Sequence, residues 1–289
     1  MNWESLWQRS NGPRYAAFTD IDNTFFRPDC ASDLWRLVEL LRERDMPSVA
    51  VTGARHNSVL RRIQSGELPP FAAVASAVGT EIRVLTGAGT YQDDLSWQAR
   101  MLATGFDLEH GAVLALRDLV ESLRVDHPEW GVVLQGGDPQ QFKFSLHFRA
   151  HTTEEAQGIF ACLSGPCSAF RTVWCQDINF STQVGEKKRY CFDVLAADKR
   201  DAVDYLAAEM RLDGGLVAGD SGNDSSMILE SSDKLLGVVV GGSRPELLET
   251  VCAFQKAQAS GGNMRWLFVE DNPARLGPQT LLAVVERYF

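Results

Sequence analysis

Short apolar runs alternate with amphipathic stretches through the first third of the chain. Residues 15–18 (Tyr-Ala-Ala-Phe) are a compact apolar run of the kind a buried strand requires. Residues 29–44 then place Leu34, Leu37, Val38 and Leu41 on one helical face. Asp29 or Ser32 can cap the start of this helix, and Met46-Pro47 ends it. Residues 48–52 predict a second strand, 57–64 a second helix and 71–74 a third strand, with another apolar stretch at 78–82. This β-α-β-α-β order predicts a doubly wound parallel sheet. Ahead of it, residues 1–14 read as an amphipathic lead-in, with Trp3, Leu6 and Trp7 at helical spacing before an Asn-Gly-Pro turn.

The rhythm changes after a small, glycine-bearing connector at 85–90, where a hinge is expected. Residues 108–125 predict a helix. Residues 131–135 and 141–149 predict two strands joined by a turn at Gly136-Gly137-Asp138-Pro139. The second strand alternates, with Phe142, Phe144, Leu146 and Phe148 on one face and Lys143, Ser145, His147 and Arg149 on the other. One buried and one wet face is antiparallel behaviour. A helix at 153–163 and strands at 169–174 and near 179–180 or 190–192 complete a small α+β module. The doubly wound pattern then resumes with a helix at 199–210 that Asp198 can cap. A strand at 216–218, a helix at 223–230 and a strand at 235–240 follow, then a helix running to Val251 and a last helix opened by Gly277-Pro278. The division expected is a core of residues 1–85 and 193–289 interrupted by a module of 86–192.

Composition narrows the function. A chain of 289 residues can bury a large core. A formal charge of −10 and a pI near 5.0 argue against binding a nucleic-acid backbone. The six cysteines show no Cys-x-x-Cys spacing and the five histidines no zinc pattern, so free thiols in a reducing compartment are expected. The first residues lack the layout of a signal peptide, and no run reaches the length of a membrane span. The expectation is a cytoplasmic protein, without nucleic-acid or membrane partners, acting as a monomer or homodimer.

The first strand ends in Thr19-Asp20-Ile21-Asp22-Asn23-Thr24. Acids rarely end a buried strand by facing the core, because an unpaired buried charge is costly. At the carboxyl end of a central parallel strand they instead meet the crevice where ligands bind. There Asp20 can attack phosphorus as a nucleophile. Asp22, two residues on, can protonate the leaving oxygen and later activate water. Two further strands end in polar groups: 49–51 in Thr52-Gly53, and 217–218 in Gly219-Asp220-Ser221-Gly222-Asn223-Asp224. Between them Lys199 heads a helix; it is one of only six lysines against 22 arginines, which adds weight to its position.

Two acids, a Thr, a Lys and a further acid pair, in that order, resemble the four motifs of the haloacid dehalogenase (HAD) superfamily of phosphatases. The resemblance implies an α/β HAD fold with a Rossmann-like core, and the inserted module takes the place and form of a type C2B cap. It implies Asp20 as nucleophile, Asp22 as acid/base, and Thr52, Gly53, Lys199 and Asn223 on the phosphate. It implies Mg²⁺ held by Asp20, Asp220 and the backbone carbonyl of Asp22, with Asp224 on a metal-bound water or on Lys199. HAD ion pumps carry Thr where this chain has Asp22, which points to a phosphatase or phosphomutase. Arg200 follows the lysine where relatives often have Gly. With Val78-Gly79-Thr80-Glu81-Ile82 and Phe142-Lys143-Phe144-Ser145, the chain looks like the sucrose-phosphate phosphatase branch, and mannosyl-3-phosphoglycerate and mannosylfructose-phosphate phosphatases are close in pattern. The function implied is Mg²⁺-dependent hydrolysis of a phosphorylated sugar or glycoside through an aspartyl-phosphate. A phosphomutase and a non-catalytic sugar-phosphate binding protein are the alternatives. Arg55, Glu81 and Lys143 are the candidates for substrate contact.

Overall fold

The structure, a computed structural model, describes residues 12–107, 109–135, 140–176, 187–260, 265–272 and 274–289. The lead-in at 1–11, the turn at 136–139 and the strand expected near 179–180 lie outside the described residues. The chain runs β1 (Tyr15–Thr19), α1 (Ala31–Glu43), β2 (Ser48–Val51), α2 (His56–Gln64), β3 (Ala73–Ser76), β4 (Glu81–Leu85) and β5 (Tyr91–Asp93). It continues with α3 (Leu95–Ala103), α4 (Gly111–Asp126), β6 (Val133–Leu134), β7 (Lys143–Ala150), α5 (Thr153–Ser164), β8 (Arg171–Gln176) and β9 (Lys188–Leu195). The last part is α6 (Lys199–Glu209), β10 (Gly214–Gly219), α7 (Ser225–Glu230), β11 (Leu235–Val239), α8 (Pro245–Ala259), β12 (Leu267–Val269) and α9 (Gly277–Tyr288).

The chain forms two compact units, one built from the chain up to Gln98 and from Lys199 onward, the other Ala99–Asp198. The larger unit holds an eight-stranded sheet in the order β12-β11-β10-β1-β2-β3-β4-β5. From β12 to β3 every pairing is parallel. The strand runs are apolar throughout because a parallel sheet is covered on both faces: Ala16, Phe18, Val49, Val51, Val74, Val217 and Val238 are all inaccessible. The helices supply the cover, with Leu34, Leu37 and Leu41 of α1 and Leu281, Val284 and Val285 of α9 in one core with Ile21, Phe25 and Phe71.

The expected parallel core is present, and β4 and β5 add to it as antiparallel edge strands. Two expectations need correction here. The stretch at 78–82 is not one strand, since Ala77 and Val78 take left-handed φ values of 52° and 63° and reverse the chain before β4. The expected hinge at 85–90 is instead the β4–β5 turn. Tyr91 accepts from the Phe71 amide and donates to its carbonyl, both at 2.8 Å. The Trp97 ring nitrogen donates to Thr80 O at 3.2 Å. These bonds keep residues 86–98 with the larger unit, whereas β9 carries residues 193–195 in the smaller one.

The smaller unit holds an antiparallel sheet ordered β6-β7-β9-β8. One face of β7 is apolar as expected, with Leu146 and Phe148 inaccessible. The opposite face is not the wet face that alternation suggests. Lys143 is 8% exposed and pairs with Asp193 at 3.0 Å, and Ser145 donates to the same carboxylate at 2.5 Å. Burial opposes the charge of Lys143, but Asp193 and Cys191 outweigh it and the ammonium's pKa is raised. Alternation reports which residues are polar; here Lys143 and Ser145 share the Asp193 carboxylate, so neither needs water as a partner.

Arg265, just before β12, closes the end of α7. Its guanidinium donates to Ile228 O, Ser231 O, Ser232 O and Ser231 Oγ, covering carbonyls that a helix end leaves without partners. Arg265→Ala should therefore destabilise the fold by about 2–4 kcal/mol, since charge-assisted bonds carry more than neutral ones. Urea denaturation should show the loss with little change in slope.

Candidate active site

The strand order places β1 between β10 and β2, so the connection from β1 runs to β2 on one side while that from β10 runs to β11 on the other. This is a topological switch point, and the crevice at its carboxyl end is where open α/β sheets bind ligands. Asp20 leaves the end of β1 with its amide on Ala218 O at 2.9 Å, and Asp220 leaves the end of the neighbouring β10. Asp20, Asp220 and Asp224 are all buried, each offering one carboxylate oxygen within 4.8 Å of the others.

Lys199, at the start of α6, has no exposed surface. Its ammonium donates to Asp20 Oδ1 at 2.9 Å and to Asp224 Oδ1 at 2.6 Å. The other oxygen of Asp224 accepts from the amides of Asp220 and Ser221 at 3.1 and 3.0 Å and from Ser221 Oγ at 3.1 Å. Thr24 Oγ1 donates to Asp220 Oδ1 at 3.0 Å. The turn is possible because residue 219 is glycine: a Cβ there would lie 2.3 Å from that of Asp224. Gly277, opening α9, plays the same part behind the first loop, where a Cβ would lie 2.5 Å from Asn23 O.

Three buried carboxylates face one ammonium, and the charges respond. Burial lifts the Asp20 carboxyl to about 7, with Lys199 opposing and Asp224 and then Asp22 adding to the rise. Burial and the charges of Asp224 and Asp20 push Asp220 well above the usual carboxylate range. Lys199 stays charged, its own desolvation outweighed by Asp20 and Asp224. The excess negative charge and the all-oxygen donor set suit a hard divalent cation such as Mg²⁺. The second motif lies alongside: Thr52 is buried, its Oγ1 accepts from the Ala54 amide at 3.1 Å, and a Cβ on Gly53 would start 3.7 Å from the Asn223 side-chain nitrogen.

Asp22 differs from the other acids. Its side chain is 58% exposed, and Oδ1 accepts from Arg62 Nη1 at 2.8 Å. Glu81 accepts from Ser76 Oγ at 3.3 Å, Arg55 is exposed just before α2, and Lys143 belongs to the smaller unit. Thr24, Ser221 and Arg62 were not foreseen. Thr24 sits inside the first motif, where its hydroxyl was a signal available to read. Arg62 lies on another element with no spacing that links it to Asp22.

The sequence pattern of the family described as sucrose-6F-phosphate phosphohydrolase matches residues 13–260. No curated protein matches the chain. Among solved structures, the sucrose-phosphatase of Synechocystis, solved with sucrose and phosphate, is similar at a TM-score of 0.65 and 21% identity, over 95% of this chain and 98% of that one. A haloacid dehalogenase-like hydrolase of Bacillus subtilis follows at 0.54 and 17%, over 96% and 93%. A HAD subclass IIB sugar phosphatase gives 0.51 and 12%, over 94% and 96%. At these identities the structural likeness shows the HAD fold. Within the site, removing the shared cation should leave buried carboxylates uncompensated. Lys199→Met is expected to lower stability by about 3–5 kcal/mol, measured by chemical denaturation without added metal.

Proposed function

The chain belongs to the sucrose-6F-phosphate phosphohydrolase family and is a HAD-type sugar-phosphate phosphatase, and we propose that it hydrolyses a phosphorylated sugar or glycoside with Mg²⁺ through a phosphate ester of Asp20. The observation that carries this reading is the buried carboxylate of Asp20, fixed by Lys199 at the switch point beside Asp220 and Asp224. A sucrose 6-phosphate-like substrate has the strongest support, from the family's description and from the similar phosphatase solved with sucrose and phosphate.

In this mechanism an Asp20 oxygen attacks phosphorus while the bond from phosphorus to the sugar oxygen breaks. That oxygen takes the proton of Asp22, which becomes a carboxylate. Asp22 then removes a proton from water as the water's oxygen attacks the phosphorus, and the Asp20–phosphorus bond breaks to give phosphate. Lys199 offsets the charge of Asp20 as the dianionic phosphate arrives, and Thr52, the Gly53 amide and Asn223 hold the phosphoryl oxygens. Mg²⁺ held by Asp20, Asp220 and the Asp22 carbonyl would neutralise the remaining negative charge. The core residues read the phosphate, so the sugar must be chosen by others; Arg55 and Glu81 remain candidates, whereas Lys143 is buried and paired with Asp193.

Phosphate release from sucrose 6-phosphate, mannosyl-3-phosphoglycerate, glucosyl-3-phosphoglycerate and simple hexose phosphates tests this reading. Mg²⁺-dependent release that Asp20→Asn abolishes is expected, with sucrose 6-phosphate the best substrate. Product that keeps its phosphate on another hydroxyl would identify a mutase, and no turnover of any ester would leave a binding protein.

Metal binding should depend on pH in a set direction. The metal-free Asp20 value of about 7 lies above its ordinary 3.8. Its contribution to stability is therefore fullest in acid and is lost as pH rises to about 7. Mg²⁺ must displace that proton and any held by Asp220, whose carboxyl is also raised, so its affinity should weaken at least about tenfold per pH unit as pH falls below 7. Calorimetry at pH 5.5, 6.5 and 8 measures this, and Mg²⁺ should raise the melting temperature most at pH 8.

A further inference from the structure

Asp22 sits on a backbone with little freedom. The Asn23 amide donates to Phe26 O at 2.9 Å and the Phe26 amide to Ile21 O at 2.8 Å. Asn23 takes a φ of 64°, and Gly277 packs against the carbonyls of Asn23 and Thr24 from behind. What remains free is the rotation of the Asp22 side chain, which is mostly in solvent and would by itself sample several rotamers. A proton donor that must meet one oxygen loses rate when it is spread over orientations.

Arg62 removes that freedom. It is itself fixed on three sides: Nη1 on Asp22 Oδ1 at 2.8 Å, Nε on Glu67 Oε1 at 3.0 Å, and the guanidinium plane over the Phe26 ring at 4.7 Å. Phe26 belongs to the same loop as Asp22, so the arginine grips the loop by its ring and its acid together. The Glu67 amide bonds back to Arg62 O at 2.9 Å, which keeps that anchor in place. The grip on Asp22 uses one oxygen only. Oδ2 accepts no hydrogen bond from any described residue, which leaves it to carry and deliver a proton.

We propose that Arg62 is a positioning residue for the reaction: it holds Oδ1 of Asp22 so that Oδ2 is presented to the leaving oxygen. This rests on the reading of Asp22 as acid and base. An ordinary surface pair contributes only about 0–1 kcal/mol to stability, so a structural role alone would leave the chemistry of the leaving group untouched.

That difference sets the experiment, single-turnover cleavage of two esters with saturating Mg²⁺. One is the best sugar phosphate of the panel above, whose alkoxide needs a proton to leave. The other is p-nitrophenyl phosphate, whose phenolate does not. General acid catalysis contributes about 10²–10⁴-fold, and partial misplacement of the acid should forfeit some of it. For Arg62→Ala the rate on the sugar phosphate should fall at least about tenfold further than on the aryl phosphate, with KM little changed. Arg62→Lys should recover part of the ratio, and Glu67→Gln should lower it slightly. Equal losses on both esters, no loss on either, or a faster sugar-phosphate reaction would overturn the assignment. Should the alanine variant not fold, Arg62→Lys decides, and a wild-type ratio there also overturns it. Asp22→Asn separates the two ideas. If it keeps the wild-type ratio, the acid/base reading fails; if it loses the ratio while Arg62→Ala keeps it, only the role of Arg62 fails.

Discussion

Lys199 donates at 2.9 Å to Asp20 and at 2.6 Å to Asp224 from a position with no exposure to water. An ammonium is tolerated there because two carboxylates hold it, and the carboxylates are tolerated close together because the ammonium lies between them. Each of the three comes from a different segment: the end of β1, the start of α6 and the turn after β10. The charge cluster therefore acts as a register mark for the larger unit. If α6 were displaced by one residue, Lys199 would leave the crevice and three acids would remain buried together. Arg200 supports the same placement from outside the crevice by pairing with Glu230 at 2.9 Å, tying the first turn of α6 to the end of α7. That gives Arg200 a structural part beside the buried lysine.

The close approach of backbones is the second constraint on the site. Asp224 can bond the amides of Asp220 and Ser221 only because Gly219 has no side chain to occupy the space. The loop after Asp20 can rest on the start of α9 only because residue 277 is also glycine. Both glycines are fixed by packing against the segments that carry Asp20 and Asp224. The cluster is thus held by bonds within the fold itself.

Much of this was legible because it is local. Apolar runs ending in Asp20, Thr52 and Asp220 report strand ends directly, and their polar ends mark the carboxyl side of the sheet, where ligands bind. What could not be read depends on neighbours distant in sequence. The antiparallel addition of β4 turns on the left-handed backbone of Ala77 and Val78, which a valine does not advertise. The attachment of residues 91–98 to the larger unit rests on Tyr91 with Phe71 and Trp97 with Thr80, pairs without a shared period. The polar face of β7 was read as wet because alternation cannot tell a solvated lysine from one paired with Asp193. Arg62 is the clearest case: one arginine among 22, it acquires meaning only when α2 brings it to Asp22.

The two acids of the first motif, two residues apart, therefore live under opposite conditions. Asp20 is buried, gripped by a buried lysine, and raised by desolvation; its geometry is set by the fold and by charge balance. Asp22 is 58% exposed and held through one oxygen by an arginine near the surface. The difference matches the roles proposed for the two positions, nucleophile for Asp20 and acid and base for Asp22. A nucleophile has one target and gains from rigid placement, whereas a group that gives a proton and then takes one back must exchange it with the leaving group and with water. Full burial would bar water from Asp22, and full freedom would cost it aim. A single charge-assisted bond to Oδ1, with Oδ2 open, lies between those limits, and it explains why the same short motif can carry both a fixed and an accessible carboxylate.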